Sequence, residues 1–293
     1  TDGCAISTWN DTSNLSNHAI QSTGASQPIY KTNILNGNPV INFNTTAKYL
    51  TSTMTWSYKT VFAVRNLAMT WYQYLFSTPS LGDFSIRTAA GFNGTGVLTY
   101  TDGPNAWDWS NNGELAIDGQ ITNTGKTRYH IIRDVASSVT TNTYSISNTF
   151  MNRWMYGDDG IAELIVYNTG VTSETTNKIE SYLSVKYWIT LDQSVVWWQN
   201  YTLSNNVISR STGSAWIYKN DIAGIAKDNT MNLLQTRSQS INNTGDIIIE
   251  SNTTPNNLTS LLWSNNGWST GFSSTETTWN IVPRIARERY IQE

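Results

Sequence analysis

Short apolar runs, many alternating with polar residues, recur along most of this chain, and each is closed by Asn, Asp, Gly or Ser. Residues 40–43 (VINF), 59–65 (KTVFAVR), 72–77, 84–88, 97–100, 114–117, 129–132 and 143–147 follow this pattern. A two-residue period with β-branched content predicts strands, and their spacing with turn residues between them predicts a β-sandwich. Asp118-Gly119 suits a type I′ hairpin turn, in which both central residues need positive φ. Residues 91–96 (GFNGTG) predict a hairpin connection, since their glycine order is wrong for a dinucleotide loop and no helix follows. Residues 1–17 are polar and turn-rich, with Trp9 their one expected buried side chain and the remainder loop.

The period changes once. Residues 161–167 (IAELIVY) form an apolar run between Gly160 and Asn168-Thr169-Gly170, as expected of a strand buried on both faces. Ile179, Tyr182, Leu183, Lys186 and Tyr187 then recur at helical spacing. Thr172 or Ser173 can cap that helix, and Glu174 suits the positive end of its dipole. Beyond residue 191 strand-like runs return at 195–198, 215–218, 222–225, 247–249, 261–263 and 284–292. This predicts a second, smaller β domain, with the boundary at Asp192-Gln193.

Residues 157–191, GDDGIAELIVYNTGVTSETTNKIESYLSVKYWITL, resemble the closing segment of bacterial concanavalin A-like (laminin-G-like) lectin/glucanase domains, a "GDIAEVIIYN" strand followed by a helix ending in "YLAxKYGI". Trp188 stands where that family usually has glycine. Residues 7–19 are similar to its "WxDxSGxGNxA" opening, and residues 27–50 to its "QPTY…INGxPxxxFxG…YL" run. Residues 114–120 resemble its "lyvDGq" hairpin. The resemblance implies an all-β fold: a concanavalin A-like jelly-roll sandwich over residues 1–191 with one helix at its end. Residues 221–225 and 261–267 resemble "NDIAGIGRDD…LxWGNNNG", a companion module that often follows this domain in large bacterial surface proteins. The resemblance thus also implies an extracellular or cell-surface location.

Composition narrows the function. Charged residues make up 13% of the chain, against about 25% in an average soluble protein. With a net charge of −3 and no Lys/Arg run, a nucleic-acid or acidic-membrane footprint is missing. No apolar stretch approaches the ~20 residues that span a bilayer. Cys4 is the single cysteine, which excludes a disulfide framework or thiolate zinc site within one chain and reads as a small, inert thiol. Eight Asn-x-Ser/Thr sequons occur, about what so much Asn, Ser and Thr produces by chance.

Glycoside hydrolysis needs two carboxylates facing one cleft. The Glu-x-Asp-x-x-Glu string of this family's glucanases is absent; the nearest pair is Glu114 with Asp118, the latter in a turn, while Glu163 is alone on its strand. His18 and His130 sit in no triad pattern and read as structural. Asp158-Asp159, with Asp108 or Asp102, could supply oxygens to calcium, though at no diagnostic spacing; the expectation is no bound metal or cofactor, calcium being the one ion left open. Trp107-Asp108-Trp109-Ser110-Asn111 is the candidate glycan site: two indole faces in a polar, glycine-bounded loop, with Asp108 and Asn111 for polar orientation. No apolar strand precedes Trp9, and residues 284–292 read as a charged last strand. A missing first strand and an unpaired last one leave two readings, a piece of a longer protein or subunits joined end to end by strand exchange. The function expected is a non-enzymatic surface module for adhesion or structural assembly with other copies of itself, with glycan recognition. A calcium-assisted lectin is the first alternative and a glucanase the second.

Overall fold

The computed structural model describes residues 1–43, 48–52, 56–67, 73–77, 85–88, 107–112, 128–142, 145–146, 160–191, 200–210, 218, 220–239, 248–265, 272–273, 284–285 and 289–292. In chain order they form β1 (Thr8–Trp9), β2 (Ala19–Ile20), β3 (Ile29–Leu35), β4 (Asn38–Asn42), β5 (Leu50–Ser52), β6 (Trp56–Leu67), β7 (Gln73–Ser77), β8 (Ser85–Thr88), β9 (Trp107–Asn112), β10 (Arg128–Asn142), β11 (Ser145–Ile146) and β12 (Gly160–Tyr167). Helix α1 (Ser173–Tyr187) follows, then β13 (Tyr201–Thr202), β14 (Ile208–Arg210), β15 (Asn220–Asp228), β16 (Leu233–Gln235), β17 (Arg237–Gln239), β18 (Ile248–Glu250), β19 (Thr259–Asn265), β20 (Phe272–Ser273), β21 (Arg284–Ile285) and β22 (Arg289–Gln292). The fold is all-β with one α-helix among the described residues. It divides into two compact units, Thr1–Asn111 with Asp118–Val171, and Asn112–Ile117 with Thr172–Glu293.

The first unit holds two six-stranded sheets, ordered β1-β2-β5-β11-β7-β8 and β3-β4-β12-β6-β10-β9. Its core draws on both: Ala19, Leu50 and Ile146 from one, Ile41, Val61, Ala63 and Ile161 from the other, with Phe43 beside them. Burying each large side chain of this kind contributes about 1.5–3 kcal/mol. The strand buried on both faces is β6, where Val61, Phe62, Ala63, Val64 and Arg65 are all at most 1% exposed. Residues 161–167, expected in that role, form an interior strand that is buried at Ile161 and half-buried beyond it. The register of β12 slips at Ala162, so Ile161 lies opposite Arg65 while Glu163 lies opposite Val64. The bulge brings Ile161, Leu164 and Val166 to the core together and moves Glu163 off that face.

The amino-terminal segment is better ordered than the sequence predicts. Gly3 N–H donates to Tyr30 O, Tyr30 N–H to Cys4 O and Ile6 N–H to Pro28 O, each at 2.8 Å, and Ala5 bridges Ile29. Residues expected to be loop therefore lie antiparallel along the start of β3, where a first strand had been expected to be missing. Asp2 extends the tie, its carboxylate accepting from Thr32 N at 2.8 Å. At the far end of β3, Asn36 (φ 54°) and Gly37 (φ 75°) make the two-residue turn that sets Leu35 opposite Asn38.

In the second unit, β16-β15-β19-β22 form a four-stranded antiparallel sheet. Helix α1 belongs here. The compact unit takes in the chain from Thr172, and the helix contacts β13, β15 and β16; the sequence reading sets the domain boundary at Asp192-Gln193. Its start matches expectation, with the Thr172 hydroxyl accepting from Thr175 N at 3.1 Å. The stripe of Ile179, Tyr182, Leu183 and Tyr187 is buried, but so are Asn177, Ser181 and Ser184. These polar side chains dock the helix. Ser181 Oγ accepts from Thr202 N at 3.0 Å, satisfying the backbone at β13 as a neighbouring strand would, and its one proton faces Asn177 O at 2.7 Å and Asn200 O at 3.0 Å. Asn177 Nδ2 adds a bond to Thr202 Oγ1 at 3.0 Å. Tyr201 OH accepts from Leu191 N at 2.9 Å and lies 3.1 Å from Ser184 Oγ.

Gly224 in β15 sets a close approach. A Cβ there would stand 2.2 Å from Leu262 Cδ2 and 3.1 Å from the carbonyl oxygen of Leu261. Leu262 can turn away; the Leu261 backbone cannot without disturbing the β15–β19 pairing. Gly224→Ala is expected to destabilise the second unit by about 1–3 kcal/mol, read as a lowered denaturant midpoint; an unchanged midpoint would show that the strands separate freely.

Candidate functional site

Trp107, Asp108, Trp109 and Asn111 were expected in a loop. They fall in β9, the outermost strand of the β3-β4-β12-β6-β10-β9 sheet, next to β10. Their side chains lie outside the described residues, so the structure brings these positions to one sheet edge and does not decide their contacts. Among the described residues no strand pairs with the far side of β9, and the same holds for β22 in the second unit. Such edges can accept a further strand.

The candidate calcium residues Asp102, Asp158 and Asp159 lie outside the described residues, as do the Glu114–Asp118 pair and the side chain of His130. Among the described residues no three His, Cys, Asp or Glu come together as metal ligands. Cys4 is exposed.

Five of the described carboxylates bind backbone or neighbouring cations. Asp11 accepts from Ser13 N at 2.8 Å through one oxygen and from Asn17 N at 2.9 Å through the other. Partial burial pushes its carboxyl up, but the Ser13 and Asn17 bonds and nearby His18 outweigh that, leaving it below the usual carboxylate range. The Thr32 backbone bond likewise lowers Asp2. Glu174 is lowered by its hydrogen bond from Lys178 and by Asn206, with Lys178 Nζ at 3.0 Å. Glu250 lies 3.7 Å from Arg237. Burial raises the Tyr167 hydroxyl, whose ring meets Phe62 edge-on at 6.4 Å.

Asp228 accepts four hydrogen bonds. It is fully buried at the end of β15. Its Oδ2 accepts from Ser204 N at 2.7 Å, and its Oδ1 from Ser204 Oγ at 2.9 Å, Thr230 N at 3.0 Å and Met231 N at 3.3 Å. This carboxylate clamps the strand that follows the helix to the β15–β16 turn. Sequence reading had passed over it; the signal was Asp228-Asn229-Thr230, an Asx-turn string ending a strand.

A cavity of about 10 Å³ in the second unit is lined by Ser181, Tyr182, Tyr201, Leu203, Leu233 and Leu262 among others. One water needs roughly that much room, so it is a packing gap under the helix and holds no organic ligand.

A domain of unknown function, DUF8202, matches residues 175–293. The match begins two residues into α1, close to where the second compact unit begins at Thr172. No curated protein and no solved structure matches the chain.

Proposed function

We propose that this chain is a non-enzymatic surface module that works by contact, in adhesion or in structural assembly with other copies of itself, outside the cell. In this reading the first unit is a concanavalin A-like sandwich and the second a companion β module. What supports the sandwich is the single core to which both six-stranded sheets contribute. The observation that carries the contact role is how three of the described aspartates are used. Asp2, Asp11 and Asp228 spend their oxygens on backbone amides, the work of turn locks rather than of proton donors and nucleophiles. The sparse charge of the sequence suits hydrogen-bonded lateral contacts.

Assembly is tested by light scattering of the purified chain over a wide concentration range. Growth of discrete multimers is the expected result; a monomer at every concentration, with no retention on immobilised glycans, would end the proposal.

A glycan-binding reading is favoured by the position of Trp107–Asn112 on an edge strand, where a ligand can approach from the side. If that strand holds sugar by indole stacking, Trp107→Ala and Trp109→Ala should each weaken binding about 10-fold, near the upper end of what an aromatic contact is worth. Titrations on a glycan panel measure this. Wild-type affinity in both variants would remove the strand from consideration.

A further inference from the structure

The amino-terminal segment passes from one sheet of the first unit to the other with no residue to spare. Ile6 N–H donates to Pro28 O beside β3, and the next residue, Ser7, accepts from Gln21 N beside β2, both at 2.8 Å. These two strands belong to different sheets, and β3 is the outermost strand of its own. Along that outer side the edge-facing backbone groups from Pro28 to Thr32 are all taken by residues 2–6. Pro28 O accepts from Ile6 N, Tyr30 N donates to Cys4 O, Tyr30 O accepts from Gly3 N, and Thr32 N donates to the Asp2 carboxylate. Side-chain packing adds little to this ladder. Gly3, Cys4 and Ala5 are exposed, and of the four residues Ile6 alone packs against the core, half-buried.

We propose that the edge of β3 from Pro28 to Thr32 is a strand-acceptor site, and that in the assembled protein its occupant is the segment 2–6 of a second copy of this chain. The edge itself identifies the donor. Its contacts are backbone bonds, one carboxylate tie and one apolar anchor, so a second copy's segment reproduces each contact that the chain's own segment makes. Main-chain bonds hold an added strand, and the Ile6 side chain entering the core fixes its register. Opening the chain's own segment breaks three backbone bonds and the Asp2 tie and uncovers one side chain. That is a local opening, far smaller than unfolding of the unit. The absent slack between Ile6 and Ser7 favours exchange, because short hinges invite an element to run on into a neighbour. Each copy carries one donor and one acceptor, so exchange yields closed pairs or open chains according to the direction the hinge takes. This exchange rests on the assembly reading above, and names its surface and its partner.

The test is a disulfide trap. Ala5 and Ile29 face each other as an antiparallel bridge between the Ile6–Pro28 and Tyr30–Cys4 bonds. In such a non-hydrogen-bonded pair the Cα atoms lie about 4.5 Å apart, within reach of a disulfide. The full chain carrying Cys4→Ser, Ala5→Cys and Ile29→Cys is separated by size into monomers and multimers, oxidised, and run on a denaturing gel without reductant. The expected result is that the multimer fraction loses its monomer band to covalent dimers and higher species, which reduction returns to monomer. Multimers that come apart into monomers closed by an internal disulfide overturn the exchange and leave assembly standing through another surface. A monomer at every concentration, closed internally, overturns the exchange and the assembly reading together. Should the triple variant misfold, the wild type decides. Isotope-labelled and unlabelled chains are refolded together and coupled with carbodiimide, which joins the Asp2 carboxylate to the Lys31 amine that acts on it. Coupled peptide pairs with one labelled and one unlabelled member are expected; pairs of a single label throughout overturn the proposal.

Discussion

Replacing Asp228 by Ala should be the most damaging single change in the second unit, lowering its stability by about 3–5 kcal/mol. The buried carboxylate takes hydrogen bonds from three backbone amides and one hydroxyl, belonging to Ser204, Thr230 and Met231. A bond to a charged acceptor is worth about 1.5–3 kcal/mol, and a buried donor left without a partner costs about 1–3 kcal/mol. The four bonds share one acceptor group, so their worth does not add in full; the estimate counts two of them. Asp228→Asn separates charge from geometry. It can keep Oδ1 for Ser204 Oγ, Thr230 and Met231, but turns an NH₂ toward Ser204 N–H, so about half of the loss should remain. Denaturant midpoints, with hydrogen exchange at β15 and β16, measure both. Two units need not unfold together, so the local probe is required. If Ala costs less than ~1 kcal/mol, or Asn and Ala behave alike, the carboxylate does not clamp the turn.

That clamp shows where sequence reading stopped. Strands such as β4, β6 and β19 were legible because short apolar runs, VI at 40–41, VFAV at 61–64 and LLW at 261–263, are closed by polar and turn-forming residues. The helix was legible for the matching reason at its own period, and its cap at Thr172 was among the two residues expected. Its allegiance was not. Hydrophobic periodicity reports that a helix buries a stripe, never against what, and here polar side chains complete the docking. Asn177 and Ser181 look like solvent-facing positions in a sequence, yet they are buried because the backbone around Asn200 and Thr202 needs partners. The resemblance to a sandwich's closing segment carried the helix into the first domain; its contacts and the matched family segment group it with the second unit.

The bulge at Ala162 was hidden in the same way. Strict alternation would put Ile161 and Glu163 on one face, and only the register against β6 shows that Glu163 turns away while Leu164 and Val166 join Ile161. The amino-terminal segment is a third case. Gly3–Ile6 has too little apolar content to announce a strand, and it is held by backbone bonds that composition does not record. For the candidate glycan residues, tryptophans among polar residues suggested a loop, whereas the backbone places them on an edge strand. Aromatic residues favour strands as well as sites, and the sequence contains nothing to separate the two uses.

Trp188→Gly should destabilise the second unit although it removes a strained residue. Trp188 ends α1 at φ 60°, with its N–H donating to Ser184 O, at a position where the resembling sequences usually have glycine. Left-handed backbone costs a bulky L-residue about 1–2 kcal/mol, which glycine recovers. The indole is 8% exposed, and its Nε1 has no hydrogen-bond partner among the described residues, a further cost of about 1–3 kcal/mol. Against these gains stands the loss of a large buried side chain, about 3–5 kcal/mol for truncation to Ala, with roughly 1 kcal/mol more for glycine's greater freedom when unfolded. Taken at the middle of these ranges the losses exceed the gains by about 1.5 kcal/mol, so packing outweighs strain. Trp188→Phe keeps most of the packing, retains the strain and deletes the buried N–H; it should match the wild type or exceed it slightly. Midpoints read by hydrogen exchange across α1 and β15 give both values. A Trp188→Gly chain more stable than the wild type would mean that the indole contributes little packing and that the helix end is governed by its backbone alone.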